Sequence, residues 1–196
     1  MIRRIRIRQK MQEVQVRVLR DRYAESIFYN IGRSCTTDHR KRRMYHGGKD
    51  PASDADAQAE QIKEMINEGI NAIFLCPVDW EKITPSLQAL QDAGVKIINI
   101  DSQVKDTDYI DAYVGSDNIE AGKLCGNDLI EKYPDGGTVA ILEATTQNSV
   151  NDRITGFEQA VAKAEKGFEV VAREDTNGTL TVHWKQPRRF WKNNRM

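Results

Sequence analysis

From Asp50 onward the sequence alternates short apolar runs with amphipathic stretches, and this alternation constrains the fold more than any other feature. AIFLC (72–76) and KIINI (96–100) are continuous apolar runs of strand length. Such runs suit parallel strands buried on both faces. Between them the period changes. DAQAEQIKEMINEG places Ile62, Met65 and Ile66 on one helical face, with Gly69 as a stop. The segment from Asp79 to Ala93 repeats the helical pattern through Ile83, Leu87 and Leu90, with Gly94 behind it. DAYVGSDN then gives a short strand ending near Gly115, followed by a helix over 118–132 and a strand over 138–142. A helix over 150–165 and the strand FEVVA (168–172) complete the series. Strand–helix alternation at this spacing predicts an α/β fold of βαβ units in a doubly wound parallel sheet.

In sheets of this kind ligands bind beyond the carboxyl ends of the strands. Those ends are Pro77-Val78-Asp79, Asp101-Ser102, Ser116-Asp117-Asn118 and the loop from Thr145 to Asn151, all rich in short polar side chains. Asp79 and Asp117 stand at helix starts, where capping accounts for them. Asp101 ends a strand and opens the irregular segment SQVKDTDY, so a ligand role explains it better than a cap. Arg153 lies in the first turns of a helix, where the helix dipole disfavours a cation, and this mismatch favours a functional reading. Trp80 and Cys76 read as packing residues, and Cys125 as a helix-face thiol.

Several classes of function find no support. There is no glycine-rich phosphate loop, which weighs against a nucleotide cofactor. The regular region holds no histidine before His183, so no Ser-His-Asp set forms there and the chain does not read as an enzyme. Cys35, Cys76 and Cys125 form no C-x-x-C pair, so neither a zinc site nor a disulfide framework is indicated, and no cofactor is expected. No apolar run approaches about 18 residues, so no membrane insertion is expected. MIRRIRIRQK is basic but is followed by no apolar region, so the chain as written shows no secretory signal and would stay in the cytoplasm if expressed so.

The run DADAQAEQIKEMINEGINAIFLCPVDWEKITPSLQALQDAGVKIINIDS resembles the amino-terminal lobe of ribose-type periplasmic sugar-binding proteins. YVGSDNIEAGKLCGNDLIEKYPDGGTVAILEATTQNSVNDRITGFEQAVAKAEKGFEVVARED continues the likeness, which covers Asp50 to Leu180. Its motifs are PVD, IDS, GSDN followed by AG, and R-x-x-G-F. The resemblance implies a substrate receptor of a bacterial ABC sugar importer, located in the periplasm or at the cell surface. Its partners would be a monosaccharide and the importer permease. The ligand core of LacI-type regulators shares this fold and is the alternative. Two lobes would close on the sugar, with the chain crossing between them near Gly115–Asn118. The resemblance makes Asp101 and Arg153 sugar contacts, with Ser102, Asn148 and Asn151 as further candidates by position.

The flanks differ. Residues 1–49 carry 14 Lys+Arg against 4 Asp+Glu, and residues 183–196 carry 5 basic residues and no acid. SCTTDHRKRRMYHGGKD (34–50) could suggest a nucleic-acid arm, or a metal site of Cys35, His39 and His46. No amphipathic helix pair joined by a turn can be traced there, and basic charge alone gives only salt-sensitive, non-specific binding, so no nucleic-acid partner is expected. An off-frame reading accounts for the composition better. Shifted one base later, codons for Arg22 to Lys49 permit DMQNPFFITLAEAVQQTIEKDGCTMVVK, a strand-end loop with an aromatic pair, a helix and a strand of the kind with which the family begins. After Leu180, reading one base earlier permits an amphipathic helix. The expected organisation is an anomalous basic segment (1–49), a partial amino-terminal lobe (50–115), a partial carboxyl-terminal lobe (116–180) and an anomalous basic tail (181–196). In that case the first two strands of lobe one are missing, neither flank folds in a native way, and sugar binding is weak or lost. Sequencing the locus is expected to show these motifs in the shifted frames; a locus whose shifted frames encode neither refutes the off-frame origin.

Overall fold

The computed structural model describes residues 14–19 and 44–177. Its first lobe is a five-stranded sheet in the order β2-β1-β3-β4-β5, with every neighbouring pair parallel. The strands are β1 (Val14–Leu19), β2 (Met44–Lys49), β3 (Ala72–Leu75), β4 (Lys96–Ile100) and β5 (Ala112–Val114). Helix α1 (Ala55–Asn67) joins β2 to β3, and α2 (Thr84–Asp92) joins β3 to β4. The second lobe holds α3 (Asn118–Lys132), β6 (Gly137–Glu143), α4 (Asn148–Val161) and β7 (Phe168–Asp175), with β6 and β7 paired in parallel.

The sequence reading leaves lobe one without its first two strands, and the structure corrects this. Val14–Leu19 and Met44–Lys49 are strands of the sheet, and β1 lies between β2 and β3. The reason is local. VQVRVL puts a β-branched residue at every second position. A parallel β3 without a neighbour there would expose a row of unpaired N–H and C=O groups. Lys49, at the end of β2, also pairs with Glu64 of α1. The expectations for the rest of 1–49, including Cys35 and His39, and for 181–196 fall outside the described residues.

The core of lobe one lies between α1, α2 and one face of the sheet. Ile62, Met65, Ile73, Leu75, Leu87, Leu90 and Ile97 are fully buried there, as the helical and strand periods require. Burying such a side chain contributes about 1.5–3 kcal/mol. The expectation that β3 and β4 are buried on both faces holds for one face only. Phe74 and Ile98, which alternate onto the other face, are half-buried against Cys76 and Ile100. Both described helices of this lobe pack on the same side. Helix α2 also starts later than its apolar period suggests, because Pro85 sits in its first turn and residues 79–83 turn instead.

Lobe two rests on a close helix pair. Gly122 of α3 and Gly156 of α4 let the two backbones touch: a Cβ at Gly122 would overlap the carbonyl oxygen of Arg153, and one at Gly156 that of Ile119. The paired sheet is thinly covered, and Leu142 and Val171 stay exposed. Gly156→Val is therefore expected to lower the unfolding free energy by about 1–3 kcal/mol or more, since backbone cannot yield as a side chain does. Urea denaturation measures this; an unchanged midpoint would mean that the helices are not in backbone contact.

Candidate functional site

The carboxyl ends of β3 and β4 face the loop that follows β6, and between them lies a cavity of about 790 Å³. That is within the range of ligand pockets. Its walls come from the turn before α1 (Ala52 to Asp56), from the strand ends (Cys76, Val78, Asp79, Asp101) and from lobe two (Ala144, Thr146, Gln147, Ser149, Val150), with Asn177 after β7.

Two buried amides shape the strand ends. Gln58 is fully buried on α1. Its Nε2 donates to the carbonyl of Cys76 at 2.9 Å, and its Oε1 accepts from the N–H of Val78 at 2.9 Å. Asn99, also fully buried, donates from Nδ2 to the carbonyls of Leu75 (3.1 Å) and Ser102 (2.9 Å) and accepts the N–H of Val104 on Oδ1. These peptide groups lie at the end of β3 or beyond the strand ends and would otherwise be buried without partners, at about 1–3 kcal/mol each. Sequence reasoning missed both residues. A signal was present: a glutamine one turn before Ile62 on the apolar face, and an asparagine inside the run KIINI.

The carboxylates of the cavity differ in how they are held. Asp54 caps α1, accepting from the N–H groups of Asp56 and Ala57. Asp79 accepts from those of Glu81 and Lys82 and lies 3.8 Å from the Lys82 ammonium. Capping thus accounts for Asp79, and also for Asp117, which accepts from Glu120 N–H. Asp101 is different. It is a non-glycine residue with φ +65°, and its carboxylate meets the Cys76 thiol at 4.0 Å. It caps no helix, so its oxygens stay available at the cavity wall.

The other residues singled out from the sequence are placed differently. Ser102 is fully buried, and its Oγ accepts the N–H of Ser149 at 3.3 Å, joining one lobe to the other. Beside it, Gln147 Nε2 donates to the carbonyl of Val78 at 2.7 Å, and Trp80 N–H donates to that of Thr146 at 3.1 Å. Asn148 donates to Asp152 at 3.1 Å and Asn151 to the Thr145 carbonyl at 3.0 Å; neither lines the cavity. Arg153 is exposed and outside the lining as well. Position in the loop offers Asn148 and Asn151, and a cation in the first turns of a helix offers Arg153; neither signal says which side of α4 turns toward lobe one. Among the described residues no cluster of three or more His, Cys, Asp or Glu is arranged to hold a metal ion.

The sequence pattern of the periplasmic binding protein domain matches residues 23–188. The chain belongs to this family. The match runs past Asp50 and Leu180 at both ends, so the likeness is wider than the central segment from which it was first read. Among curated relatives, a D-ribose/D-allose-binding protein of Pseudomonas aeruginosa is 29% identical over 132 residues, covering 64% of this chain and 40% of that protein. The ribose import binding protein of Bacillus subtilis is 22% identical over 151 residues, covering 76% of this chain and 48% of that protein. The chain thus spans less than half the length of these two relatives. A solved galactofuranose binding protein superposes with a TM-score of 0.80 at 21% identity, over 92% of this chain and 62% of that one. This confirms the α/β periplasmic binding fold. The family consists of binding proteins rather than enzymes.

Titration near the site has a defined sign. Burial pushes the Asp152 carboxyl above the usual carboxylate range; the Asn148 amide opposes this and the Asp117 charge adds to it. The folded state then holds that proton more tightly than the unfolded state, so this group's contribution falls as pH rises from the unfolded value of about 4 through the raised one. Asp111, hydrogen-bonded by Lys96, and Asp175, hydrogen-bonded by Thr145, are held below the usual range and act in the opposite sense. The expected difference between wild type and Asp152→Asn is a loss of stability with rising pH that the variant lacks. Urea midpoints across the acidic range test this; parallel curves would contradict it.

Proposed function

We propose that this chain descends from, and in part still is, a carbohydrate-binding substrate receptor of a bacterial ABC importer. The observation that carries this reading is the placement of Asp101. It stands with an uncapped carboxylate on the wall of a cavity between the carboxyl ends of one sheet and the loop of a second lobe. A carboxylate accepts from two hydroxyls of a sugar at once, and Gln147, Ser149 and Asn177 around it add further polar groups. Relatives whose names denote ribose, allose or galactofuranose binding support the same ligand class.

The ligand is a monosaccharide, and the permease of an importer is the macromolecular partner. The site of action is the periplasm or cell surface, as for the family. Asp101 is the contact residue. Ser102, Asn148, Asn151 and Arg153, also offered by the resemblance, lie outside the cavity wall, and of these Ser102 joins the lobes. The alternative, the ligand core of a LacI-type regulator, is less favoured because the matched curated relatives are named as transport and sugar-binding proteins.

Binding by this chain is weak. Among the described residues that line the cavity, none offers an aromatic ring on which the apolar face of a sugar could stack. NMR titration against a panel of pentoses and hexoses is expected to give dissociation constants of about 1 mM or weaker, near −4 kcal/mol. Asp101→Ala should abolish the response. A micromolar constant would overturn the reading of weak binding, and a response to no sugar would overturn retained binding.

A further inference from the structure

The left-handed conformation of Asp101 is uncommon for a residue with a side chain and is held only where its surroundings over-determine it. Both peptide groups of Asp101 are held from β5. Its N–H donates to the carbonyl of Val114 at 3.0 Å. Its carbonyl accepts the Tyr113 hydroxyl at 2.7 Å. The tyrosine ring thus reaches from β5 back over the end of β4. The space it uses is the space a side chain at residue 115 would take: a Cβ on Gly115 would overlap the Tyr113 hydroxyl. Burial, with the charges of Asp101 and Asp152 nearby, raises the hydroxyl pKa and keeps it a neutral donor.

We infer that Tyr113 is the residue that positions Asp101, fixing by its hydroxyl the left-handed turn that presents the carboxylate to the cavity, and that Gly115 is required because it leaves that hydroxyl room. This rests on the reading of Asp101 as the sugar contact. The geometry explains the need. Moving φ from the positive to the negative region swings Cβ about the N–Cα bond, and a carboxylate at a strand end is carried off the cavity wall. Among the described residues the Tyr113 hydroxyl is the side-chain donor to the Asp101 carbonyl, whereas the Val114 contact is an ordinary extension of the β4–β5 ladder.

Two measurements on the full chain separate positioning from general stability. Tyr113→Phe removes only the hydroxyl, and Asp101→Gly removes the conformational cost that the hydroxyl offsets, because glycine adopts positive φ freely. In urea denaturation, Tyr113→Phe is expected to lower the midpoint in the Asp101 chain and to lower it by less than half as much in the Asp101→Gly background. Equal shifts in both backgrounds would overturn the inference. In the second measurement, Tyr113→Phe and Gly115→Ala, each shown to be folded by circular dichroism, are titrated with the pentose and hexose panel. Both are expected to weaken binding about tenfold or more, at a temperature where they remain as folded as wild type. Unchanged affinity in both, with binding lost in Asp101→Ala, would also overturn the inference. A wild-type chain that binds no sugar defeats the proposed function alone, and the denaturation cycle still decides the role of Tyr113.

Discussion

The hydrogen bonds of two buried amides, Asn99 and Gln58, are the interactions on which the site depends. A parallel ladder satisfies its backbone groups along its length but leaves the last carbonyls of each strand without partners. At the ends of β3 and β4 those carbonyls are buried, so water cannot supply the missing bonds. Asn99 bridges the Leu75 and Ser102 carbonyls, and Gln58 clamps Cys76 and Val78. With the strand ends fixed, Asp79 can cap the turn that follows β3, and Asp101 can leave β4 in a left-handed turn toward the cavity. Losing either amide would leave several buried groups unpaired at once, which is costlier than losing any single contact at the cavity wall.

The second lobe depends on a different constraint. Its helices approach so closely that only glycine fits at Gly122 and Gly156, and this backbone contact replaces much of the apolar packing that the exposed pair β6–β7 lacks. Among the described residues the lobes are joined by hydrogen bonds at Ser102, Gln147 and Trp80. Such polar contacts are individually worth about 0.5–1.5 kcal/mol. An interface of that kind resembles those across which domains move relative to one another.

Much of this was legible from residue order. The helical period located Ile62, Met65, Leu87 and Leu90 in the core, and the apolar runs located β3 and β4. The strand-end rule pointed to Asp101, and the N-cap rule separated Asp79 and Asp117 from it, as their hydrogen bonds bear out. Other features were not legible. Basic composition hid β1 and β2, because strand pairing is a backbone interaction that tolerates arginine and glycine where a neighbouring strand needs a partner. Asn148 and Asn151 follow from position in the cavity loop, and Arg153 from a cation in the first turns of a helix and from the R-x-x-G-F resemblance, but a helix turns successive side chains about 100° apart, so none of these signals decided proximity to the cavity.

Sequence alone determined the α/β class, the order of strands and helices after Asp50, and the strand ends at which a ligand site is expected. These follow from periodicity and chain connectivity, which are local properties. Tertiary structure alone decided that β1 lies inside the sheet, that Ser102 joins the lobes, and that Tyr113 reaches across Gly115 to hold Asp101. These depend on which side chains from distant segments arrive at one point, and on whether a buried polar group there finds a partner. No period along the chain encodes that meeting; it is settled only when the sheet twists, the helices pack and the two lobes come into contact.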